Sequence, residues 1–246
     1  MPRFFVPSEQ FYDDAHLYIN GADAHHISYS LRMAVGEELT VCDMKKNELT
    51  CRITAMDGER VELEVLSHLP AETEPPLEIT LYQAYPKGDK LETIVQKAVE
   101  TGAFAVVPFI SERCIKRPHA EKSPKQTARL SSIAAEAAKQ CGRGILPTVS
   151  EPLTYGEMLA AAAGADLFLF CYEGDGTVSI REVLASAAPT VRTVALVVGS
   201  EGGFSLAEVE RAKARGAVAV GLGKRILRCE TAPVFALSCI CCLTEL

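Results

Sequence analysis

The stretch Thr193-Val-Ala-Leu-Val-Val-Gly-Ser-Glu-Gly-Gly-Phe-Ser-Leu-Ala-Glu208 carries the strongest fold signal in the chain. Its first six residues are mostly apolar and β-branched, which predicts a strand over 193–198 that is buried on both faces. The glycines that follow permit a tight turn in which a ligand can lie against the main chain. Ser205 and Glu208 then have the spacing of a capping box, so a helix is expected to begin directly after the turn. This order indicates an α/β sheet, and the glycines form either a simple tight turn or a ligand site beyond the carboxyl end of the strand.

Residues 73–246 repeat the same alternation of apolar strands and amphipathic helices, and they predict an α/β domain with a parallel sheet. The expected strands are 77–84, 105–110, 167–171, 193–198 and 217–222. The expected helices are 90–101, 125–141, 155–163, 179–187 and 206–215, with an apolar helix running to the C-terminus.

Residues 1–72 have a different pattern of apolar and polar residues. Segments 38–42, 49–54 and 61–66 alternate apolar and polar residues with period two, and Met56-Asp-Gly-Glu59 supplies a hairpin turn. This pattern predicts a small antiparallel β-barrel. Because residues 70–76 are acidic and proline-rich, they predict a linker, and the chain is expected to divide into domains 1–72 and 73–246.

The composition limits the class of protein. The 246 residues are 48% hydrophobic and 23% charged, which excludes disorder over most of the length. No apolar run approaches the roughly 18 residues that span a bilayer, and no secretory signal precedes Asp13, so we expect a cytosolic protein. Nine cysteines without paired spacing are expected to be reduced, and the Cys239–Cys242 pair lacks further ligands for a metal.

Charge is distributed unevenly along the chain. The formal net charge of −7 argues against a nucleic-acid binder, but the average conceals an acidic start and a basic middle. Residues 1–76 hold 6 Lys+Arg and 14 Asp+Glu, whereas residues 87–143 hold 11 and 6. The basic block at 113–143, which Glu121 and Glu136 interrupt, is either a solvated helix face or a phosphate-binding patch. Its cations are Arg113, Lys116, Arg117, Lys122, Lys125, Arg129, Lys139 and Arg143.

A second loop follows the strand at 217–222 and reads Gly223-Lys-Arg-Ile-Leu-Arg-Cys-Glu-Thr-Ala-Pro233. Thr231 is expected to cap the C-terminal helix, with Pro233 in its first turn. Arg228 and Glu230 lie beside an apolar segment, where charges pair with each other or contact a ligand. Neither this loop nor the 199–203 turn matches a Rossmann fingerprint or a phosphate-binding loop.

Both loops resemble the two C-terminal signatures of the SPOUT methyltransferases. More narrowly the chain is similar to the RsmE family, which methylates N3 of a uridine in 16S ribosomal RNA. The match rests on 198–205 and 222–232 and on three further blocks, 25–32, 87–102, and Arg129 with Glu136 and 140–143, which run in the same order over nearly the whole chain. Ser200 departs from the family pattern, which usually has proline there, and this makes the turn less rigid.

The resemblance implies an N-terminal PUA-like β-barrel and a C-terminal α/β domain with a trefoil knot. It also implies a homodimer in which the apolar C-terminal helix contributes to the interface. Expected partners are S-adenosylmethionine as the methyl donor and 16S rRNA within the small ribosomal subunit, without a metal or a membrane. The knot loops imply a set of cofactor-binding residues: Phe170, Tyr172, Glu173, Val198, Gly199, Glu201, Gly202, Gly203, Leu222, Gly223, Ile226, Leu227 and Arg228.

Catalytic and RNA-binding roles follow from the same resemblance. Arg228 is the candidate for holding negative charge on a uracil oxygen, and Glu201 or Glu230 either accepts the N3 proton or anchors the loops. Because N3 lies on the Watson–Crick edge, the uridine must be unpaired or extruded. The residues expected to contact RNA are Arg3, His25, Arg32, Lys87, Lys90, Arg113, Lys116, Arg129, Gln140 and Arg143.

Three alternatives stay open at this point. The chain could be a non-catalytic RNA-binding or assembly factor on the same scaffold, although such a factor would not need a cofactor pocket. It could be a knotted enzyme with another RNA target. It could also be an unrelated nucleotide-binding α/β enzyme, which the missing phosphate loop disfavours.

Overall fold

The computed structural model describes residues 1–118 and 123–246. It contains two compact units, one formed by Met1–Glu74 with Ala138–Leu146 and the other by Pro75–Ala137 with Pro147–Leu246. Glu121 and Lys122 of the basic block lie outside the described residues.

The first unit is a five-stranded sheet with the order β1-β3-β4-β5-β2. Neighbouring strands are antiparallel except β1 and β3, which are parallel. The strands are β1 (Arg3–Phe5), β2 (His16–Asn20), β3 (Glu38–Cys42), β4 (Asn47–Met56) and β5 (Arg60–Pro70). Helix α1 (Gly21–His25) continues into a π-helical turn at His26–Ser30, and a 3-10 turn covers Ser8–Gln10.

The three strands predicted in this unit and their hairpin are confirmed. The Asp57 carboxylate accepts hydrogen bonds from the backbone N–H groups of Glu59 (3.0 Å) and Arg60 (2.8 Å), which closes the turn between β4 and β5. Alternate residues of the strands, such as Leu39, Val41 and Leu63, are buried in one apolar core.

The second unit is an eight-stranded sheet in which every strand pair is parallel. The strand order is β11-β13-β10-β12-β6-β7-β8, with β9 also paired to β7. The strands are β6 (Glu78–Ala84), β7 (Ala105–Ile110), β8 (Thr148–Val149), β9 (Leu153–Thr154), β10 (Leu167–Cys171), β11 (Val178–Ser179), β12 (Thr193–Val198) and β13 (Val218–Gly221). The helices are α2 (Lys90–Glu100), α3 (Ser123–Cys141, whose last residues belong to the first unit), α4 (Tyr155–Ala162), α5 (Ile180–Ser186), α6 (Leu206–Lys213) and α7 (Thr231–Thr244).

The parallel α/β prediction is therefore confirmed, and its consequence for the site is direct. Strand β10 lies between β12 and β13, with Phe170 beside Val197 on one side and Ala219 on the other. Because the three strands run in the same direction, the loops that follow them emerge at one edge of the sheet.

The start of α7 differs from the prediction. The helix begins at Thr231, and the residue before it, Glu230, makes no side-chain capping bond. The carbonyl of Arg228 instead accepts the N–H groups of Thr231 (2.8 Å) and Ala232 (2.9 Å). Thr231 is thus not the cap, because a turn over 228–231 leads into the helix and supplies the carbonyl. Pro233 does lie in the first turn, as predicted.

Two further observations concern the described ranges as a whole. No helix in them combines the length and the apolar character that a bilayer crossing needs. The nine cysteines are free thiols.

Candidate active site

The loops after β10, β12 and β13 enclose a cavity of about 850 Å³. This volume is in the usual range for small-molecule sites, roughly 300–1,000 Å³. The loops contribute Cys171 to Gly174 and Thr177, then Val198 to Phe204 with Leu206, then Gly221 to Cys229, and Lys90, Arg113 and Ala232 complete the wall. The glycine turn at 199–203 therefore forms one wall of a cavity at the carboxyl edge of the sheet.

Main-chain geometry explains the glycines of this turn. At Gly202, a Cβ atom would lie 2.9 Å from Arg113 Cβ and 3.1 Å from its carbonyl oxygen, so only glycine allows the two segments to approach this closely. Gly203 has φ +61°, which favours glycine. Its N–H donates to the Ser200 carbonyl (2.9 Å) and closes the turn.

The predicted capping box at the start of α6 is confirmed and has a further partner. Ser205 Oγ accepts the N–H of Glu208, and the Glu208 carboxylate accepts the N–H of Ser205. Glu208 is buried and also accepts the N–H of Glu112 (2.8 Å), while Ser205 Oγ donates to Glu112 Oε2 (2.7 Å). These bonds fasten the glycine turn to the segment that follows β7.

Lys90 joins the second and third cavity loops. Its Nζ lies 2.9 Å from Glu201 Oε1 and 3.1 Å from Glu230 Oε2, and it contacts Cys229 Sγ at 3.7 Å. Glu201 also accepts the backbone N–H of Lys87 at 3.3 Å. We call Lys90, Glu201, Cys229 and Glu230 the lysine cluster.

The lysine cluster fixes the charge of its members. Partial burial opposes ionisation of both carboxyls, but hydrogen bonds from Lys90 and neighbouring donors outweigh it. They lower the pKa of Glu201 to about 2 and the pKa of Glu230 below its ordinary value. Burial raises the pKa of the Cys229 thiol to about 12, so the thiol is protonated and donates to Glu230.

Arg228 differs from Lys90 because its guanidinium is exposed at the cavity, and it makes no side-chain hydrogen bond or ion pair with any described residue. The Arg228–Glu230 ion pair that the sequence left open is absent from those residues, since Glu230 pairs with Lys90. A guanidinium held at a cavity in this way is available to an anionic group of a ligand.

The structure brings together most of the residues expected to bind the cofactor. All of them except Phe170 line the cavity. Phe170 is buried beneath it and packs against Phe204, with ring centroids 4.3 Å apart. Of the three expected catalytic residues, Arg228 and Glu201 line the cavity, whereas Glu230 lies behind it in the lysine cluster.

Several lining residues were not singled out from the sequence. Lys224 and Arg225 are exposed beside Arg228, and their basic run in the third loop was a signal that could have identified them. Gln83, which is not part of the cavity wall, was missed because it lies on β6. It is fully buried, and its Nε2 donates to the Gly199 carbonyl at 3.1 Å, which supports the turn from below.

The basic block is largely engaged by the protein itself. Arg113 donates to the Gly202 carbonyl (3.0 Å), Lys116 donates to the Gly88 carbonyl (2.8 Å), and Arg129 forms two hydrogen bonds with Glu92 (2.7 and 2.8 Å). Lys139 pairs with Asp23 (2.9 Å). These contacts reduce the number of cations that are free to meet phosphate.

The remaining residues expected to contact RNA differ in their exposure and in their ion pairs. Lys87 is exposed in the second unit. In the first unit, His25, Arg32 and Gln140 are exposed, whereas Arg3 pairs with Glu48 at 2.6 Å. Arg143 is buried and its guanidinium is bound by Glu74 at 2.8 Å, so it cannot reach RNA without breaking that pair.

Comparison with known families assigns both parts of the chain. Residues 73–241 match the family described as RNA methyltransferase domain, and residues 19–66 match the family described as RNA methyltransferase PUA domain. The ribosomal RNA small subunit methyltransferase E of Bacillus subtilis (strain 168) is 34% identical over 251 residues, covering 100% of this chain and 98% of the relative. The protein of the same name from Synechocystis sp. is 34% identical over 99% of this chain and 78% of the relative.

Solved structures give the same assignment. The crystal structure of a ribosomal RNA small subunit methyltransferase E from Neisseria gonorrhoeae bound to S-adenosyl methionine has a TM-score of 0.83 at 32% identity, covering 99% of this chain and 98% of that one. A methyltransferase from Legionella pneumophila in complex with SAM has a TM-score of 0.82 at 31% identity, covering 98% and 96%. The chain therefore belongs to the PUA-containing RNA methyltransferases of the RsmE family.

Proposed function

We propose that this protein transfers the methyl group of S-adenosylmethionine to N3 of a uridine in 16S ribosomal RNA. The observation that carries the proposal is the cavity formed by the loops after β10, β12 and β13, with the exposed Arg228 at its wall. A non-catalytic RNA-binding factor has no need of such a cavity. The family membership and the bound cofactor of two similar structures support the same reaction.

The residues of the cavity fit this cofactor. Glycine backbone and the side chains of Val198, Leu222 and Leu227 provide the main-chain groups and apolar surface that suit an adenosyl group. Glu173 adds a carboxylate at the cavity wall, which suits a ligand carrying a sulfonium and an ammonium group. When bound, the cofactor supplies an electrophilic methyl group for in-line displacement.

The chain's own contribution to the chemistry begins with Arg228. N3 of uridine is an imide N–H between two carbonyls, and loss of its proton spreads negative charge onto the oxygens. Arg228 is exposed and has no side-chain partner within residues 1–118 and 123–246, so its guanidinium can hold that charge by hydrogen bonds. We therefore assign to Arg228 the stabilisation of the uracil anion.

Glu201 and Glu230 are assigned to anchoring the loops, which was one of the two roles left open by the sequence. A carboxylate whose pKa is about 2 is a weak proton acceptor at neutral pH, and the oxygens of Glu201 are occupied by Lys90 and the Lys87 N–H. Lys90 belongs to the same anchor and is left out of the RNA contacts.

RNA contacts are proposed separately for the two units. In the second unit the proposed contacts are the exposed Lys87, Arg113 and Arg129 and the half-buried Lys116, although Arg113, Lys116 and Arg129 already bind protein groups. In the first unit the proposed RNA contacts are Arg32 and His25, together with Gln140 and Arg3. Arg143 is excluded from this set by its burial.

The wider setting is also a proposal. We place the substrate uridine in the small ribosomal subunit, the protein in the cytosol, and the functional form as a homodimer. A trefoil knot in the second unit and a domain boundary after residue 72 complete the proposal, and the family match that begins at residue 73 supports this boundary.

Calorimetry with S-adenosylmethionine tests the proposal against its alternative. Saturable binding of one cofactor per chain is expected. If the purified full chain shows no heat of binding, the assembly-factor interpretation is favoured instead.

A further inference from the structure

The first unit exposes two rings that contact each other. The centroids of His25 and Tyr29 lie 4.5 Å apart with their planes inclined by 39°. Both residues are exposed, and Tyr29 retains 59% of its accessible surface. Aromatic rings exposed to this extent in a unit with an apolar core of its own are available to a ligand that stacks.

The fold holds these rings in place. They lie at the junction of α1 and the π-helical turn His26–Ser30, where the fully buried Ile27 anchors the segment. Gly58, in the β4–β5 hairpin, lies so close that a Cβ atom there would be 2.5 Å from the Tyr29 hydroxyl. Gly58 also has φ +94°, a backbone conformation that favours glycine. The absence of a side chain at Gly58 therefore allows the tyrosine ring to pack against the hairpin.

An open cavity adjoins the rings. Its volume is about 590 Å³, and His25 and Gly58 are among its walls. The other lining residues are Asn20, Gly21, Ala22 and Glu59. The small residues Gly21, Ala22 and Gly58 leave room for a flat group beside the rings.

The charge distribution of the unit singles out the same place. Most cations of the first unit are taken by carboxylates, in the pairs Arg3–Glu48, Arg52–Glu38, Arg60–Glu62, Lys139–Asp23 and Arg143–Glu74. Arg32 follows Tyr29 by three residues, is exposed, and forms no ion pair within the described ranges. In an otherwise acidic unit, Arg32 is therefore an exposed cation that can attract phosphate beside the rings.

We infer that His25, Tyr29 and Arg32, here called the ring patch, bind one unpaired nucleotide of the RNA, with the base stacked on the rings and Arg32 on its phosphate. This deepens the proposed function, because it specifies single-stranded RNA beside the target as the ligand of the first unit. Stacking tolerates any base, so the ring patch positions the RNA without reading its sequence.

The test is binding of the full chain to a fluorescein-labelled 12-nucleotide polyuridine, measured by anisotropy at several salt concentrations. Tyr29→Leu is expected to weaken binding about 5–100-fold without changing the salt dependence, since it removes one stacked base. Arg32→Gln is expected to reduce the slope of log K against log salt by about 0.7, the value for one phosphate contact to a single strand.

The chain offers a matched control in Tyr12, which is 56% exposed and pairs with the Tyr18 ring at 5.3 Å. Its hydroxyl is already bound by Arg60 and Glu62, so Tyr12→Leu is expected to leave binding unchanged. Equal losses for Tyr12→Leu and Tyr29→Leu would overturn the inference, as would unaltered binding by Tyr29→Leu.

Tyr29→Phe keeps the ring and removes the hydroxyl, so it is expected to bind like the original chain. A loss as large as that of Tyr29→Leu would refute stacking, and this comparison remains decisive if the leucine variant does not fold. The affinity of the same variants for S-adenosylmethionine, measured by calorimetry, is expected to be unchanged. It also separates the two proposals, because failure of cofactor binding counts against the proposed function and not against the ring patch.

Discussion

The cations around the cavity fall into two groups according to their partners. Lys90 is held by two carboxylates, whereas the Arg228 guanidinium is exposed without a described protein partner. A cation that is already neutralised organises the protein, while an unpaired cation beside a cavity is available to charge that develops in a reaction. This difference leads to distinct predictions for the two residues.

For Arg228→Ala we expect single-turnover methyl transfer to slow by about 10²–10³-fold, the usual effect of removing a donor to a developing anion. Affinity for S-adenosylmethionine should change little, because the loss is confined to the uracil oxygen. Rapid-quench kinetics across a pH series measures this. A rate equal to that of the original chain would remove Arg228 from the mechanism.

For Lys90→Met we expect the second and third cavity loops to separate, since Glu201 and Glu230 then repel each other. Cofactor affinity measured by calorimetry should fall about tenfold, with Lys90→Arg recovering most of it. Lys213→Met is the control, because it removes a similar exposed pair, Lys213–Glu210, on the surface of α6. Equal effects of Lys90→Met and Lys213→Met would show that the lysine cluster does not hold the loops.

The pKa of Glu201 predicts how stability depends on pH. Its pKa in the folded state is about 2, below the ordinary 4.5, so its carboxylate stabilises the fold above about pH 4.5. That contribution is lost as pH falls from 4.5 towards 2. Glu201→Gln should therefore lower the melting temperature at pH 7 and flatten its decline in acid. Melting temperatures can be followed by circular dichroism. If they fall equally steeply in acid for the two proteins, this prediction is wrong.

Among the secondary structure elements, strands β7, β10 and β12 have the predicted boundaries, because near-continuous apolar runs define buried parallel strands. Strands β8, β9 and β11 were missed since two residues carry no periodic signal. The convergence of the cavity loops could be predicted from the rule that parallel strands share a carboxyl edge.

The lysine cluster could not be predicted in the same way. Lys90 meets Glu201 and Glu230 across more than 100 residues, and the contact depends on where α2 packs against the cavity loops. The sequence showed a cation in a basic region, which suggested phosphate as the partner. Only the packed structure identifies carboxylates of the same chain as its partners.

The glycine turn after β12 passes close to Arg113 at Gly202. In Gly202→Ala the new methyl group would meet Arg113 at 2.9 Å, and backbone must shift to admit it. We expect a loss of about 1–3 kcal/mol in unfolding free energy, typical of overpacking, together with weaker cofactor binding. Urea unfolding and calorimetry measure the two effects.

Gly156 provides the control for this variant. It is exposed in α4, and a Cβ atom there would meet a single neighbouring atom at 4.0 Å. Gly156→Ala should leave cofactor binding intact and keep or raise stability, because alanine favours helix. If both alanine variants bind the cofactor normally, the close approach at Gly202 has no role in the site.

At the scale of the molecule, α7 connects the cavity to the proposed dimer. One face of the helix is buried through Ala236, Leu237 and Ile240, and Phe235 and Leu243 remain partly exposed on it. Exposed apolar side chains on a helix beside a site are typical of subunit interfaces. We expect sedimentation velocity to show a dimer, and Phe235→Glu to shift it towards the monomer. A monomer at micromolar concentration for the original chain would refute the homodimer.

Methyl transfer to N3 of an unpaired uridine in 16S rRNA is the reaction that we propose for the cavity beside Arg228. The most direct test is to incubate the purified protein with S-adenosylmethionine and unmethylated small ribosomal subunits, digest the RNA and identify its nucleosides by mass spectrometry. The account predicts 3-methyluridine that forms only when protein and cofactor are both present. Unmodified uridine, or a methyl group found on another base or on ribose, would contradict it.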